Sequence, residues 1–135
     1  MDNLRKYIGI PYEFGGRDFD GIDCFGLVKI FYENEFNIIL PDYPENLNIT
    51  SLEEVRNSDY FIGNICNQFH QIDEDERKLG DVILFMINST TPNHIGVVVD
   101  KFNFLNVNDR QSTHIAKIAK WKKFIVGFYR FNWGV

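Results

Sequence analysis

Apolar residues fall into two regimes along the chain. In the first, Leu27, Val28 and Phe31 recur at helical spacing behind Asp23, a good N-cap, so a helix is predicted to begin at Cys24 and end near Asn34. From Gly80 the period changes. Val82–Met86, His94–Val99, Phe104–Val107, Thr113–Ile118 and Ile125–Phe131 are short runs rich in β-branched and aromatic residues, and each reads as a strand. Met1–Gly16 reads as a short helix ending near Gly9 and an extended Pro11–Tyr12 stretch, broken by Gly15 and Gly16; residues 17–23 are turn-formers. A second helix is signalled by Ser51 with Glu54 three residues later, a capping-box spacing. Val55, Ile62, Ile65, Cys66 and Phe69 would form its apolar stripe, interrupted by Gly63 and Asn64. Helices first and strands later predict an α+β fold, with N-terminal helices packed on an antiparallel sheet of about five strands.

Length and composition add limits to that picture. A chain of 135 residues with 44% hydrophobic content and 13 Phe fits one domain over residues 1–135, with a core that needs neither disulfide nor metal. The net charge of −5 argues against nucleic acid as a main partner, because neutralising phosphates takes clustered Lys and Arg. The basic cluster of Lys117, Lys120, Lys122 and Lys123 reads as a solvated edge. No apolar run approaches a membrane span, and Met1–Tyr7 has no signal-peptide character. The expectation is a protein made in the cytoplasm without a signal peptide and delivered by another route. Cys66 and His70 are four apart and could share a helix face, but no further ligand pair accompanies them, so no metal or cofactor is expected.

Cys24 is the first candidate for chemistry. A helix N-terminus presents unpaired N–H groups and a positive dipole end, which favour a thiolate and could receive an oxyanion. The plainer alternative is a small buried hydrophobe. A thiolate needs a base, and His94 opens a strand with Ile95, Val97 and Val99 on one face. His94, Gly96 and Val98 lie on the other, where Gly96 would leave space beside the imidazole for a helix end. His70 and His114 read as exposed and functionally silent. An imidazole in this role also needs an orienting partner. Asn106 falls on the His94 face if the hairpin near Asp100–Asn103 has an even register, and on the wrong face if the register is odd. Asp23 is suited to cap the helix, and a carboxylate beside the cysteine opposes thiolate formation.

These residues carry a resemblance. The run YIGIPYEFGGRDFDGIDCFGLVKIFY (Tyr7–Tyr32) resembles the nucleophile segment of the NlpC/P60 cysteine peptidases, a Pro-Tyr-x-x-Gly-Gly stretch followed by Asp-Cys-x-Gly-Leu-Val. GDVILF (Gly80–Phe85), NHIGVVVD (Asn93–Asp100) and FLNV (Phe104–Val107) are similar to that family's next segments, in the same order. The resemblance implies a papain-like α+β core with Cys24 as nucleophile, His94 as base and Asn106 as the polar orienter. Tyr12 matches the family's tyrosine upstream of the cysteine, a substrate or oxyanion contact, and Asp23 is a second candidate for such a contact. Two departures stand out: Phe25 replaces the commoner Ser, and residues 44–79 have no counterpart.

The implied function is a cysteine endopeptidase or amidase. It would cut amide bonds in the peptide stems of peptidoglycan, beside a D-γ-glutamyl–diamino acid link, through a thioester acyl-enzyme. Phe25 and LPDY (Leu40–Tyr43) resemble the phage and prophage branch, which adds phage tail proteins as expected partners and a virion-associated or wall-released location. Two alternatives keep the resemblance but change the role: a tail-assembly module with vestigial catalysis, and a related acyltransferase or deamidase.

Overall fold

The computed structural model describes residues 2–41 and 68–133. The second predicted helix, with Cys66, lies outside these residues.

The helix α1 spans Cys24–Phe36 and starts where the sequence predicts, because Asp23 holds extended backbone and its carboxylate accepts from the Gly26 N–H at 2.7 Å. It runs one half-turn beyond Asn34. Asn37 adopts the left-handed conformation (φ 58°) and donates its N–H to the Tyr32 carbonyl, closing the C-terminus as glycine commonly does. Before the helix, residues Asp2–Tyr7 form a 3-10 turn, and β1 (Arg17–Asp18) and β2 (Gly21–Ile22) pair where turn-formers alone were expected. A Cβ on Gly26 would come within 2.1 Å of the Gly16 carbonyl, so glycine there lets the backbone before the hairpin lie against the first turn of α1.

The main sheet has six strands: β3 (Phe69–Ile72), β4 (Val82–Phe85), β5 (His94–Val98), β6 (Asn103–Asn108), β7 (Gln111–Lys117) and β8 (Ile125–Phe131). Their spatial order is β3-β8-β4-β5-β6-β7, antiparallel throughout. Five match the predicted strands within a few residues. The sixth corrects the sequence reading: Phe69, assigned to a helical stripe, begins β3, where Phe69 and His70 pair with Phe131 and Arg130 of β8. Ile118, expected at the end of a strand, opens the four-residue helix α2 (Ile118–Trp121).

Every residue of β4 is buried, because the sheet is covered on both faces. On one face Leu27, Val28 and Phe31 of α1 pack with Val82, Leu84, Ile95, Val97 and Leu105. On the other, Ile83, Phe85, Val98, Phe104 and Phe128 form a second cluster, closed by Trp121 and Phe124. Gly96 belongs to this second face. The space it leaves is filled by the Phe104 ring, 2.6 Å from where a Cβ would stand, and not by a helix end as expected; α1 sits on the opposite side, over Ile95 and Val97.

Candidate active site

The end of β4, the start of β5, the end of β6 and the start of β7 meet at one end of the sheet, as their registers require. A cleft of about 540 Å³ opens there. Tyr12, Asp23 and Cys24 line it from the helix side, Asn93 and His94 from β5 and the loop before it, and Trp121 from α2. The turn after β6, from Asn108 to Gln111, completes the wall.

Cys24 is half-buried as a residue and keeps a place on the cleft. Its sulfur is nevertheless closely surrounded, and burial pushes the thiol up to about 12, with the Asp23 carboxylate adding to the rise. The backbone N–H groups of Ile95 and Phe25 and the charge of Arg17 pull the other way without offsetting it. The helix N-terminus therefore acts against desolvation at this sulfur, and the net direction favours the thiol over the thiolate. The Ile95 contact also fixes the position of the sulfur, beside the residue that follows His94 in β5.

His94 is buried, its ring 5.2 Å from that of Phe85 and stacked at 20° on Trp121, 6.2 Å away. Its Nε2 lies 2.6 Å from Oδ1 of Asn106, which is fully buried. A carbonyl oxygen only accepts, so Nε2 is the nitrogen that donates to Asn106, and in the neutral ring the proton sits there. The register is the even one. Asp100 Oδ1 accepts from the N–H groups of Phe102 and Asn103, setting a tight turn that pairs Val98 with Phe104 and Val97 with Leu105. Even-numbered residues of β5 and β6 therefore share a face, and Asn106 reaches His94.

Tyr12 is half-buried and makes an isolated bridge with Ile22, which holds it at the cleft. Asp23 is buried and committed to structure: it caps Gly26, accepts from the Gly15 N–H at 3.0 Å and pairs with Arg17 at 2.7 Å. Two residues escaped the sequence reading. Trp121 stands among lysines and was not singled out, yet its indole stacks on the His94 ring. His114, read as silent, lies directly across from Asn106 in the β6–β7 pairing. His70 does stand exposed, with Nδ1 2.7 Å from Asn132 Oδ1. Among the described residues no group of three metal-ligating side chains is assembled, and no helix is long and apolar enough to cross a membrane.

A cysteine at the start of a helix packed on an antiparallel sheet, with a histidine at the same cleft, is a papain-like arrangement. The sequence pattern of the NlpC/P60 family matches residues 9–130, and the chain belongs to that family. It is 27% identical over 136 aligned positions to gamma-DL-glutamyl hydrolase of Bacillus subtilis (strain 168), covering 98% of this chain and 29% of the relative. To murein DD-endopeptidase MepS/murein LD-carboxypeptidase of Escherichia coli (strain K12) it is 24% identical, over 91% of this chain and 56% of the other. The chain thus spans between about a third and just over half of the length of these relatives. Among solved structures, the fold is shared with an NLP/P60-family lipoprotein-like protein of Staphylococcus aureus (TM-score 0.67, 23% identity, 97% of this chain and 39% of that one). It is shared too with the NlpC/p60 domain of the peptidoglycan hydrolase SagA (TM-score 0.61, 16% identity, 95% and 92%).

Proposed function

We propose that the protein is a cysteine peptidase that hydrolyses amide bonds in the peptide stems of peptidoglycan, with Cys24 as nucleophile, His94 as base and Asn106 as orienter. The observation that carries this reading is the buried 2.6 Å contact between His94 Nε2 and Asn106 Oδ1, behind a cleft that Cys24 also lines. In the neutral ring that contact keeps the proton on Nε2, which supports Nδ1 as the nitrogen that acts as base.

In the proposed reaction the Cys24 sulfur attacks the scissile carbonyl carbon while its proton passes to His94 Nδ1. The oxygen gains negative charge and is met by backbone N–H groups at the start of α1. Collapse breaks the C–N bond, and the imidazolium gives its proton to the departing amine. Water then attacks the thioester with His94 again as base; the C–S bond breaks, the carboxylic acid leaves and the thiol is restored. Asn106 holds the ring throughout, and Tyr12 faces the substrate from the opposite wall.

For the bond, we favour the link on the carbonyl side of a D-γ-glutamyl residue, next to a diamino acid. Its support is the similarity to the gamma-DL-glutamyl hydrolase of Bacillus subtilis, which aligns with almost all of this chain, together with the family resemblance. Incubating purified muropeptides with the wild type and with Cys24→Ala, followed by mass spectrometry, tests the assignment. Cleavage at that link by the wild type alone is expected; no new products, or identical products from the variant, would reject it.

A further inference from the structure

His114 is the residue that the proposed chemistry leaves unused, and its contacts have a direction. Its Nδ1 lies 2.8 Å from the Ser112 carbonyl oxygen, which only accepts, so Nδ1 carries a proton. In the neutral ring Nε2 is then a bare acceptor. It lies 3.5 Å from Nδ2 of Asn106, a long contact but the one available to that amide group within a fully buried side chain. The donors therefore run one way along β5, β6 and β7: His94 Nε2–H to Asn106 Oδ1, Asn106 Nδ2–H to His114 Nε2, and His114 Nδ1–H to the Ser112 carbonyl.

We infer that His114 is a positioning residue that selects the orientation of the Asn106 amide and, through it, the tautomer of His94. The inference rests on the reading of Cys24 and His94 given above. An asparagine amide has nearly the same shape after a half-turn, so packing alone does not choose between its two orientations. With Oδ1 toward β5, His94 must keep its proton on Nε2 and offer Nδ1 as a base. With Nδ2 toward β5, His94 must accept at Nε2 and carry its proton on Nδ1, where it cannot take one from a thiol. An acceptor at position 114 favours the first orientation. The direct cross-strand pairing of Asn106 with His114 places that acceptor where the amide nitrogen can use it.

The test compares the wild type with His114→Leu, which removes the acceptor, and His114→Gln, whose side-chain oxygen replaces it. Two-bond ¹H–¹⁵N spectra of histidine-labelled protein read the tautomer of His94 without substrate. The expected pattern is a single Nε2–H form in the wild type and in His114→Gln, with a mixture containing Nδ1–H in His114→Leu. With muropeptide as substrate, His114→Leu should lower kcat by about tenfold at little changed KM, short of the roughly 10⁴-fold loss that accompanies a wholly wrong tautomer in a serine protease. His114→Gln should recover most of it. A His94 ring that stays purely Nε2–H in His114→Leu overturns the inference, whatever the activity. A wild type that shows the tautomer pattern but cuts no muropeptide overturns the substrate assignment instead.

Discussion

Asp23 joins the fold to the chemistry, and its replacement separates three effects. Its carboxylate caps α1 at Gly26, accepts from Gly15 and pairs with Arg17, and the same negative charge raises the pKa of the neighbouring thiol. In Asp23→Ala the lost cap costs about 1 kcal/mol. The Gly15 N–H left without its acceptor costs about 1 kcal/mol more. The Arg17 pair lies between surface and buried limits, with side chains 20% and 6% exposed, and its loss costs about 2 kcal/mol. The alanine variant should therefore lose about 4 kcal/mol, and Asp23→Asn, which keeps a capping oxygen, about half of that. Urea denaturation measures both as midpoint shifts at unchanged slope. Removing the carboxylate also leaves the charge of Arg17 to act on the sulfur without opposition from Asp23. Iodoacetamide should thus label Cys24 faster in Asp23→Asn than in the wild type at the same pH, although the variant is less stable. Equal labelling rates would show that the Asp23 charge does not govern the thiol. Equal destabilisation of the two variants would refute the cap's separate share.

Other consequences follow from single contacts. Asn106→Ala should lower kcat by about a hundredfold at nearly constant KM, measured on muropeptide, because His94 loses the partner that fixes its tautomer. Labelling of Cys24, followed by peptide mapping, should keep climbing about tenfold per pH unit from pH 8 to 11, since a thiol held near 12 has no plateau at the ordinary cysteine pKa; a plateau near pH 8.5 would contradict the burial assigned to the sulfur. Burial alone would raise the Glu35 carboxyl, but hydrogen bonds from Tyr7 and Lys6 outweigh it and hold the group below the ordinary value. A depressed carboxyl stabilises the fold above its unfolded pKa and loses that contribution as pH falls through the folded pKa. Glu35→Gln should therefore cost about 1 kcal/mol at pH 7 and almost nothing near pH 2, as read from urea midpoints at the two values.

What could be read from the sequence was what neighbouring residues decide among themselves. The start of α1 was legible because the Asp23 cap acts over three residues, and the later strands because alternation and β-branching recur within each run. β3 was not. Phe69–Ile72 is four residues long, and its reason for being extended is β8, which lies more than fifty residues away. The candidate site divides in the same way. Cys24, His94 and Asn106 were legible as chemical types at family spacing, but whether the last two meet depended on a register that Asp100 fixes by accepting two backbone N–H groups in the hairpin turn. Trp121 and His114 gave no local signal: one stands in a run of lysines and the other in an ordinary strand. Their meaning comes from cross-sheet neighbours. The upward push on the thiol was not legible for a related reason. The helix dipole is local and visible, whereas desolvation is the summed effect of everything packed around the sulfur.

The raised thiol favours one opening for the proposed reaction. Making a free thiolate at pH 7 from a thiol held near 12 costs about 7 kcal/mol, at roughly 1.4 kcal/mol per pKa unit. A turnover of about 10 s⁻¹ allows a total barrier of about 16 kcal/mol, so a separate ionisation step would consume nearly half of it before any bond to carbon formed. Direct transfer from sulfur to His94 Nδ1, as the sulfur closes on the carbonyl, avoids a charge that the buried site stabilises poorly. The tautomer of His94 then matters more than any resting ion pair. A proton in flight at the acylation transition state has a measurable mark: single-turnover acylation should be slower in D₂O than in H₂O. An isotope effect of one, with acylation shown to be rate-limiting, would mean that the proton had already moved and that the sulfur waits as a thiolate after all.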